Sequence, residues 1–144
     1  MPNHAPVLVA EDDPNDVFLL RRAFQKAGVF NAVVVAHNGQ EAIDYLSGGG
    51  AFQNRSDHPF PALMLLDLKM PLVDGFDVLA WLRKHPPTHQ LPVVVLSSSN
   101  QEKDIERAQQ MGASDYCVKP QQFEELVEIV KGVRDRWLAS DRAV

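Results

Sequence analysis

Four runs, VLVA (7–10), AVVVA (32–36), ALMLL (62–66) and VVVL (93–96), are apolar at every position instead of alternating apolar with polar. A strand of that kind must be covered on both faces, as parallel strands are when helices lie above and below the sheet. A fifth run, DYCV (115–118), is more polar and reads as an edge strand.

Helical patterns fill the gaps between these runs. The first has Asp13 as N-cap, Pro14 at the first helical position, apolar residues at Val17, Leu20, Phe24 and Ala27, and Gly28 as a stop. The second opens at Asn38 with Glu41 three residues on, a capping-box spacing. The third spans 75–84 and ends before Pro86-Pro87. The fourth, 100–111, offers only Ile105, Ala108 and Met111 to a core and stops at Gly112, so it is expected to sit shallowly and to be comparatively mobile.

The fifth pattern, 121–139, carries Phe123, Leu126, Val127, Ile129, Val130, Val133, Trp137 and Leu138. At ~100° per residue these cover about half the circumference, more than one sheet face requires. A well-buried terminal helix and a partner-binding face both account for that. Residues 47–61, rich in Gly, Pro and polar side chains, read as a surface loop longer than most, an insertion before a docking element. Strand followed by helix, five times over, is the pattern of an α/β domain with a parallel sheet and helices on both faces.

A chain of 144 residues is long enough to bury one core without staples. Fourteen basic against nineteen acidic residues leave a net charge of −5, which argues against nucleic acid as a partner. The single Cys117 rules out an internal disulfide, reads as a small core residue and suits a reducing compartment. The N-terminal stretch lacks the basic and apolar regions of a signal peptide, and no apolar run approaches the ~20 residues of a membrane span. The expectation is a soluble cytoplasmic protein with no membrane contact. Five histidines (His4, His37, His58, His85 and His89) are scattered and read as surface positions, and Gly48 to Gly50 lacks the P-loop pattern.

Ligands of open α/β sheets bind beyond the carboxyl ends of the strands. There the sequence places Glu11-Asp12-Asp13 after the first run, Asp67 after the third, Ser97 after the fourth and Lys119-Pro120 after the fifth. Any one of these alone is an ordinary surface residue; their recurrence at four strand ends is the signal. Clustered carboxylates repel, and a divalent cation sustains their shared ionisation. Oxygen ligands without His or Cys favour Mg²⁺. A carboxylate can attack phosphorus, while an ammonium and a hydroxyl hold the phosphoryl oxygens. Since Pro14 makes Asp13 the natural N-cap, Glu11 and Asp12 are left for the cation.

The segments VLVAEDDPND, LMLLDLKMPLVDGFDVLAWLR, LPVVVLSSSN and MGASDYCVKP resemble the receiver domain of two-component response regulators, over nearly the whole chain. The resemblance implies a flavodoxin-like, doubly wound five-stranded parallel sheet in the order 2-1-3-4-5 with five helices. It implies one receiver domain over 1–144, with a core at about 6–139 and no output domain. Asp67 would accept a phosphoryl group from a histidine kinase. Mg²⁺ would be held by Asp12, Asp67 and the carbonyl of Lys69, with Glu11 acting through a water. Ser97 and Lys119 would hold the phosphoryl group, and Tyr116 falls at the aromatic switch position. Lys119-Pro120 looks like the family's cis peptide.

Glu11 stands where Asp is more frequent. Lys69 puts a basic chain at the mouth of the site, where it would slow water attack or compete with Lys119. The long loop and the ending VKGVRDRWL further resemble small regulators that partner phytochrome-type histidine kinases, in which the last helix and fifth strand contribute to homodimers. The downstream protein is not legible. A phosphohydrolase with an Asp nucleophile would need a second acid where Lys69 stands, and a cap insertion. A constitutive binding module would have no use for the intact acid, Ser and Lys set.

Overall fold

The computed structural model of the chain describes residues 5–85 and 90–138. Its five strands, β1 (Val7–Ala10), β2 (Val33–Ala36), β3 (Leu63–Leu66), β4 (Val93–Ser97) and β5 (Asp115–Val118), pair in parallel in the order β2-β1-β3-β4-β5. Five helices alternate with them: α1 (Pro14–Ala27), α2 (Gly39–Ser47), α3 (Gly75–Arg83), α4 (Glu102–Gln110) and α5 (Phe123–Val133). A π-helical turn, Arg134–Leu138, continues α5. The polar run 115–118 is indeed an edge strand.

The uninterrupted apolar runs follow from two cores back to back. Leu8, Ala10, Met64, Leu66, Val93 and Val95 face α2, α3 and α4, while Val7, Val9, Leu63, Leu65, Val94 and Leu96 face α1 and α5. Neighbouring residues of one strand serve opposite cores, so neither parity can be polar. Each buried Val, Leu or Met among them contributes about 1.5–3 kcal/mol.

Helix ends follow local chemistry. Asp13 accepts a hydrogen bond from the Asn15 amide, and Gly28 closes α1 in the left-handed conformation. Asn38 caps α2, but Glu41 returns to the His37 amide instead of the Asn38 amide, so only half of the expected capping box forms. The reciprocal box lies at α3, between Asp74 and Asp77. The third and fifth helices begin near the expected residues; Pro86-Pro87 and the end of the 121–139 pattern lie outside the described residues, as do His4 and His89. Only Ala108 of α4 is buried, which gives that helix its shallow seat.

The broad stripe on the last helix is used within the chain. Leu126, Val127, Val130, Val133 and Leu138 are buried, and Phe123, Ile129 and Trp137 pack partly buried against the same core. The 47–61 loop is fastened down. Arg55 donates to the carbonyls of Tyr45 (2.8 Å) and Leu46 (2.7 Å) at the end of α2, and Phe52 and His58 pack around the Tyr45 ring. Cys117 is half-buried against the α1/α5 core and burial raises its thiol pKa, consistent with a structural residue.

The turn from β3 to α3 determines where Asp67 points. Leu72, 96% exposed, is the one non-glycine residue with positive φ (66°) among the described residues. Gly75 donates from its amide to the Leu68 carbonyl at 3.0 Å, and a Cβ there would stand 2.5 Å from the Asp67 carbonyl oxygen and 2.7 Å from Leu68 Cα. Those are backbone atoms and cannot rotate away. Gly75→Ala should therefore destabilise the fold by about 1–3 kcal/mol, the range of an overpacked site, and displace the Asp67 backbone. Denaturant unfolding reads the first effect and amide chemical shifts of 66–69 the second.

Candidate functional site

Register brings the ionisable residues together. Ala10 pairs with Leu66 across β1 and β3, so the next residues, Glu11 and Asp67, emerge side by side where the strand order reverses. The Asp67 amide donates to the Ala10 carbonyl at 3.0 Å. Ser97 pairs with Val118 across β4 and β5, and the Lys119 amide donates to the Ser97 carbonyl at 2.8 Å, so Lys119 starts at the same edge.

The Lys119 ammonium is the hub. Its Nζ lies 2.7 Å from Glu11 Oε1, 2.7 Å from Asp16 Oδ2 and 3.2 Å from Asp67 Oδ2. Burial works against its charge, but hydrogen bonds to Asp16 and Glu11 and the charge of Asp67 outweigh it and raise its pKa, so it stays protonated. The Lys119–Pro120 bond is trans, contrary to the resemblance. Trans is the lower-energy isomer by about 0.5–1 kcal/mol, and the long lysine chain reaches the carboxylates without the other.

Glu11 is 3% and Asp67 6% exposed. Burial is the main force pushing the Glu11 carboxyl up to about 7; the Lys119 hydrogen bond opposes it and the Asp67 charge adds to it. One oxygen each from Glu11, Asp12 and Asp67 lies within 4.8 Å of the others. Asp12 is exposed, at the mouth of an open groove also lined by Lys69, Met70, Pro71, Phe76 and Asp104. The donors are all oxygen, and one ammonium does not balance the negative charge around it. Such a set fits a hard divalent cation.

Ser97 is fully buried, and its Oγ accepts a hydrogen bond from the Ser99 amide at 3.2 Å. The exposed Lys69 has its amide 3.3 Å from Asp67 Oδ1. Tyr116 is half-buried and its hydroxyl donates to the Ser99 carbonyl at 2.8 Å. Ser99 in turn donates to Asp104 at 2.6 Å. Sequence reasoning passed over Asp16, Ser99 and Asp104. Asp16 offers one signal in the sequence, a place in the first turn of α1 three residues past Asp13; Ser99 lies within LPVVVLSSSN.

Carboxylates and an ammonium thus converge at the switch point of a parallel sheet, where doubly wound α/β folds bind their ligands. Residues 7–131 match the response regulator receiver domain family, and the chain belongs to it. It is 33% identical over 140 residues to the probable methanogenesis regulatory protein FilR2 of Methanothrix harundinacea, covering 95% of this chain and 86% of that protein. It is 30% identical over 132 residues to the response regulator Rcp1 of Synechocystis sp., covering 92% of this chain and 88% of that one.

Among solved structures, the phosphorylated cyanobacterial phytochrome response regulator RcpA superposes with a TM-score of 0.87 at 35% identity, over 96% of each chain. RPA3017, a response regulator in red light signaling of R. palustris, gives 0.88 at 35% identity, over 93% of this chain and 94% of its own. The Mn²⁺-bound form of Rcp1 gives 0.83 at 28% identity, over 93% and 94%. The 2-1-3-4-5 receiver fold and the phosphoacceptor class of signalling protein are thereby established, as is the kinship with phytochrome response regulators. No helix among the described residues is long and apolar enough to cross a membrane.

Charge crowding makes a prediction. In buffer free of divalent ions, Asp67→Asn removes one of three carboxylates competing for one ammonium and should stabilise the fold by about 1 kcal/mol, or about 3 °C in Tm. The rise in Tm that Mg²⁺ or Mn²⁺ gives the parent should shrink sharply in the variant. Thermal unfolding with and without the ion measures both; a lower Tm in ion-free buffer would contradict the crowding.

Proposed function

We propose that Asp67 is the phosphoacceptor, taking its phosphoryl group from a histidine kinase in the cytoplasm. The carrying observation is the Asp67 carboxylate at 3.2 Å from an ammonium that two other carboxylates also grip. An Asp67 oxygen attacks phosphorus, the P–N bond to the kinase histidine breaks, and its electron pair returns to the imidazole. Lys119 turns an N–H toward the phosphoryl oxygens, where negative charge collects. Ser97 supplies a second donor once its hydroxyl turns from the β4–α4 turn. Mg²⁺ would be held by Asp12, Asp67 and the Lys69 carbonyl with Glu11 behind a water, and would supply charge neutralisation at the phosphoryl oxygens.

The chemistry ends there: the domain takes a phosphoryl group and loses it to water, and acts on no other substrate. Its output is a contact surface. Tyr116 and Ser97 meet at the 97–99 backbone, so a shift of Ser97 changes the seat of the Tyr116 ring and of α4, which is held only shallowly. Kinship with RcpA and RPA3017 supports a phytochrome-type kinase as donor. A homodimer through α5 and β5 would have to use the partly exposed Phe123, Ile129 and Trp137, because the rest of the stripe is committed to the core.

Incubation with acetyl phosphate and Mg²⁺, followed by intact mass, should show one base-labile phosphoryl group that is absent in Asp67→Asn. Lys119→Ala should slow its uptake by about 10²–10³-fold, the usual cost of a lost oxyanion donor. Unmodified parent protein, or equal uptake by Asp67→Asn, would refute the assignment. Separately, Lys69→Ala should shorten the acyl-phosphate lifetime severalfold if the Lys69 chain shields phosphorus from water; an unchanged decay rate of the purified phosphoprotein would dismiss that role.

A further inference from the structure

Asp16 is a fourth carboxylate at this site, and neither the strand-end pattern nor the acidic cluster contains it. It sits in the first turn of α1, 34% exposed in its side chain, with Oδ2 2.7 Å from Lys119 Nζ. We infer that Asp16 is a positioning residue for phosphoryl transfer: it takes one N–H of the Lys119 ammonium, Glu11 stands against the same cation as a close ion pair, and another N–H is thereby kept on Asp67. The inference rests on Asp67 being the phosphoacceptor.

The geometry separates anchors from target. The hydrogen bond to Asp16, 2.7 Å, has the length of a strong charge-assisted one and that to Asp67, 3.2 Å, is long, while Glu11 stands 2.7 Å away as an ion pair. An ammonium has three N–H bonds in tetrahedral array, so fixing one narrows the directions left to the others. The loosest of the three is the one pointed at the reacting residue. It can pass to a phosphoryl oxygen while the two anchors stay in place.

Both anchors come from elements with little freedom. Glu11 follows the central strand β1 and has its other carboxylate oxygen on the Asp13 amide at 3.1 Å. Asp16 is held by a helix whose start is fixed by the Asp13 cap and Pro14. Without Asp16, Lys119 has an exit. A small cavity lined by Asp16, Leu19, Leu20, Leu96, Pro120 and Leu126 has Lys119 in its wall. Asp16 lies outside the Glu11, Asp12 and Asp67 oxygen cluster, so its loss should spare the cation.

Full-length Asp16→Ala and Asp16→Asn are compared with the parent and Asp67→Asn in acetyl phosphate and Mg²⁺. Asp16→Ala should phosphorylate about ten- to a hundredfold more slowly, the scale on which a misaimed group costs. Asp16→Asn, which keeps an acceptor oxygen, should fall between Ala and the parent. The Mn²⁺ dissociation constant, by calorimetry, should stay within about twofold, since the cation's own ligands are untouched. The ¹⁵N ammonium resonance of Lys119, visible when proton exchange with water is slow, should broaden or vanish in Asp16→Ala. Parent-like or faster phosphorylation of Asp16→Ala would overturn the inference while leaving Asp67 as acceptor. So would a slowing matched by an equal loss of Mn²⁺ affinity. A parent protein that takes up no phosphoryl group would remove both assignments.

Discussion

The rest of the site depends on one cation, the Lys119 ammonium. Three carboxylates from three separate elements meet it: Glu11 after β1, Asp16 in α1 and Asp67 after β3. Without it, Glu11 and Asp67 would stand nearly buried and adjacent with like charge, an arrangement that costs several kcal/mol per uncompensated ion. With it, the pocket holds together but remains undercompensated. That residual negative charge favours a divalent ion, and the residual freedom of one N–H makes the ammonium useful in chemistry.

The backbone explains why the charge can be gathered at all. In a parallel sheet every strand delivers its next residue to the same edge, and the β1–β3 register sets Glu11 beside Asp67 with no side-chain requirement. Close approach of the following turn needs Gly75, where any Cβ would meet the Asp67 carbonyl. The turn also contains Leu72, a bulky residue in a left-handed conformation with its side chain in water. No packing gain offsets the cost at Leu72, so that strain is borne by the surrounding turn, as it often is beside functional residues.

Much of this is legible from residue order because it depends on short-range rules. Apolar runs without alternation mean strands covered twice, Asp-Pro and Gly bound α1, and strand ends name Glu11, Asp12, Asp67, Ser97 and Lys119. What escapes is decided by distance in space. Asp16 is 103 residues from Lys119 and looks like an ordinary acid in a helix's first turn. The Ser99–Asp104–Tyr116 chain joins a turn, a helix and an edge strand through one carbonyl and one hydroxyl, and no spacing encodes it. Arg55 lies in the stretch that reads as a surface loop, yet it closes the end of α2. The stripe on α5 exceeds what a sheet face requires because it also meets α1, a helix-to-helix contact that the period of one helix does not reveal.

The same spatial logic bears on signalling. The site and the α4–β5 surface share one short backbone segment, 97–99: Ser97 is bonded to its far end, Tyr116 donates to its last carbonyl, and Ser99 holds Asp104 of α4. On the proposed assignment, a Ser97 side chain that rotated toward a phosphoryl group would release the Ser99 amide, and so would loosen the acceptor of Tyr116 and the first turn of α4 together. Only Ala108 seats α4 in the core, so little apolar burial opposes its movement. A phosphoryl group's charge can thus reach the surface through hydrogen-bond exchange, without repacking the two cores that keep the sheet rigid.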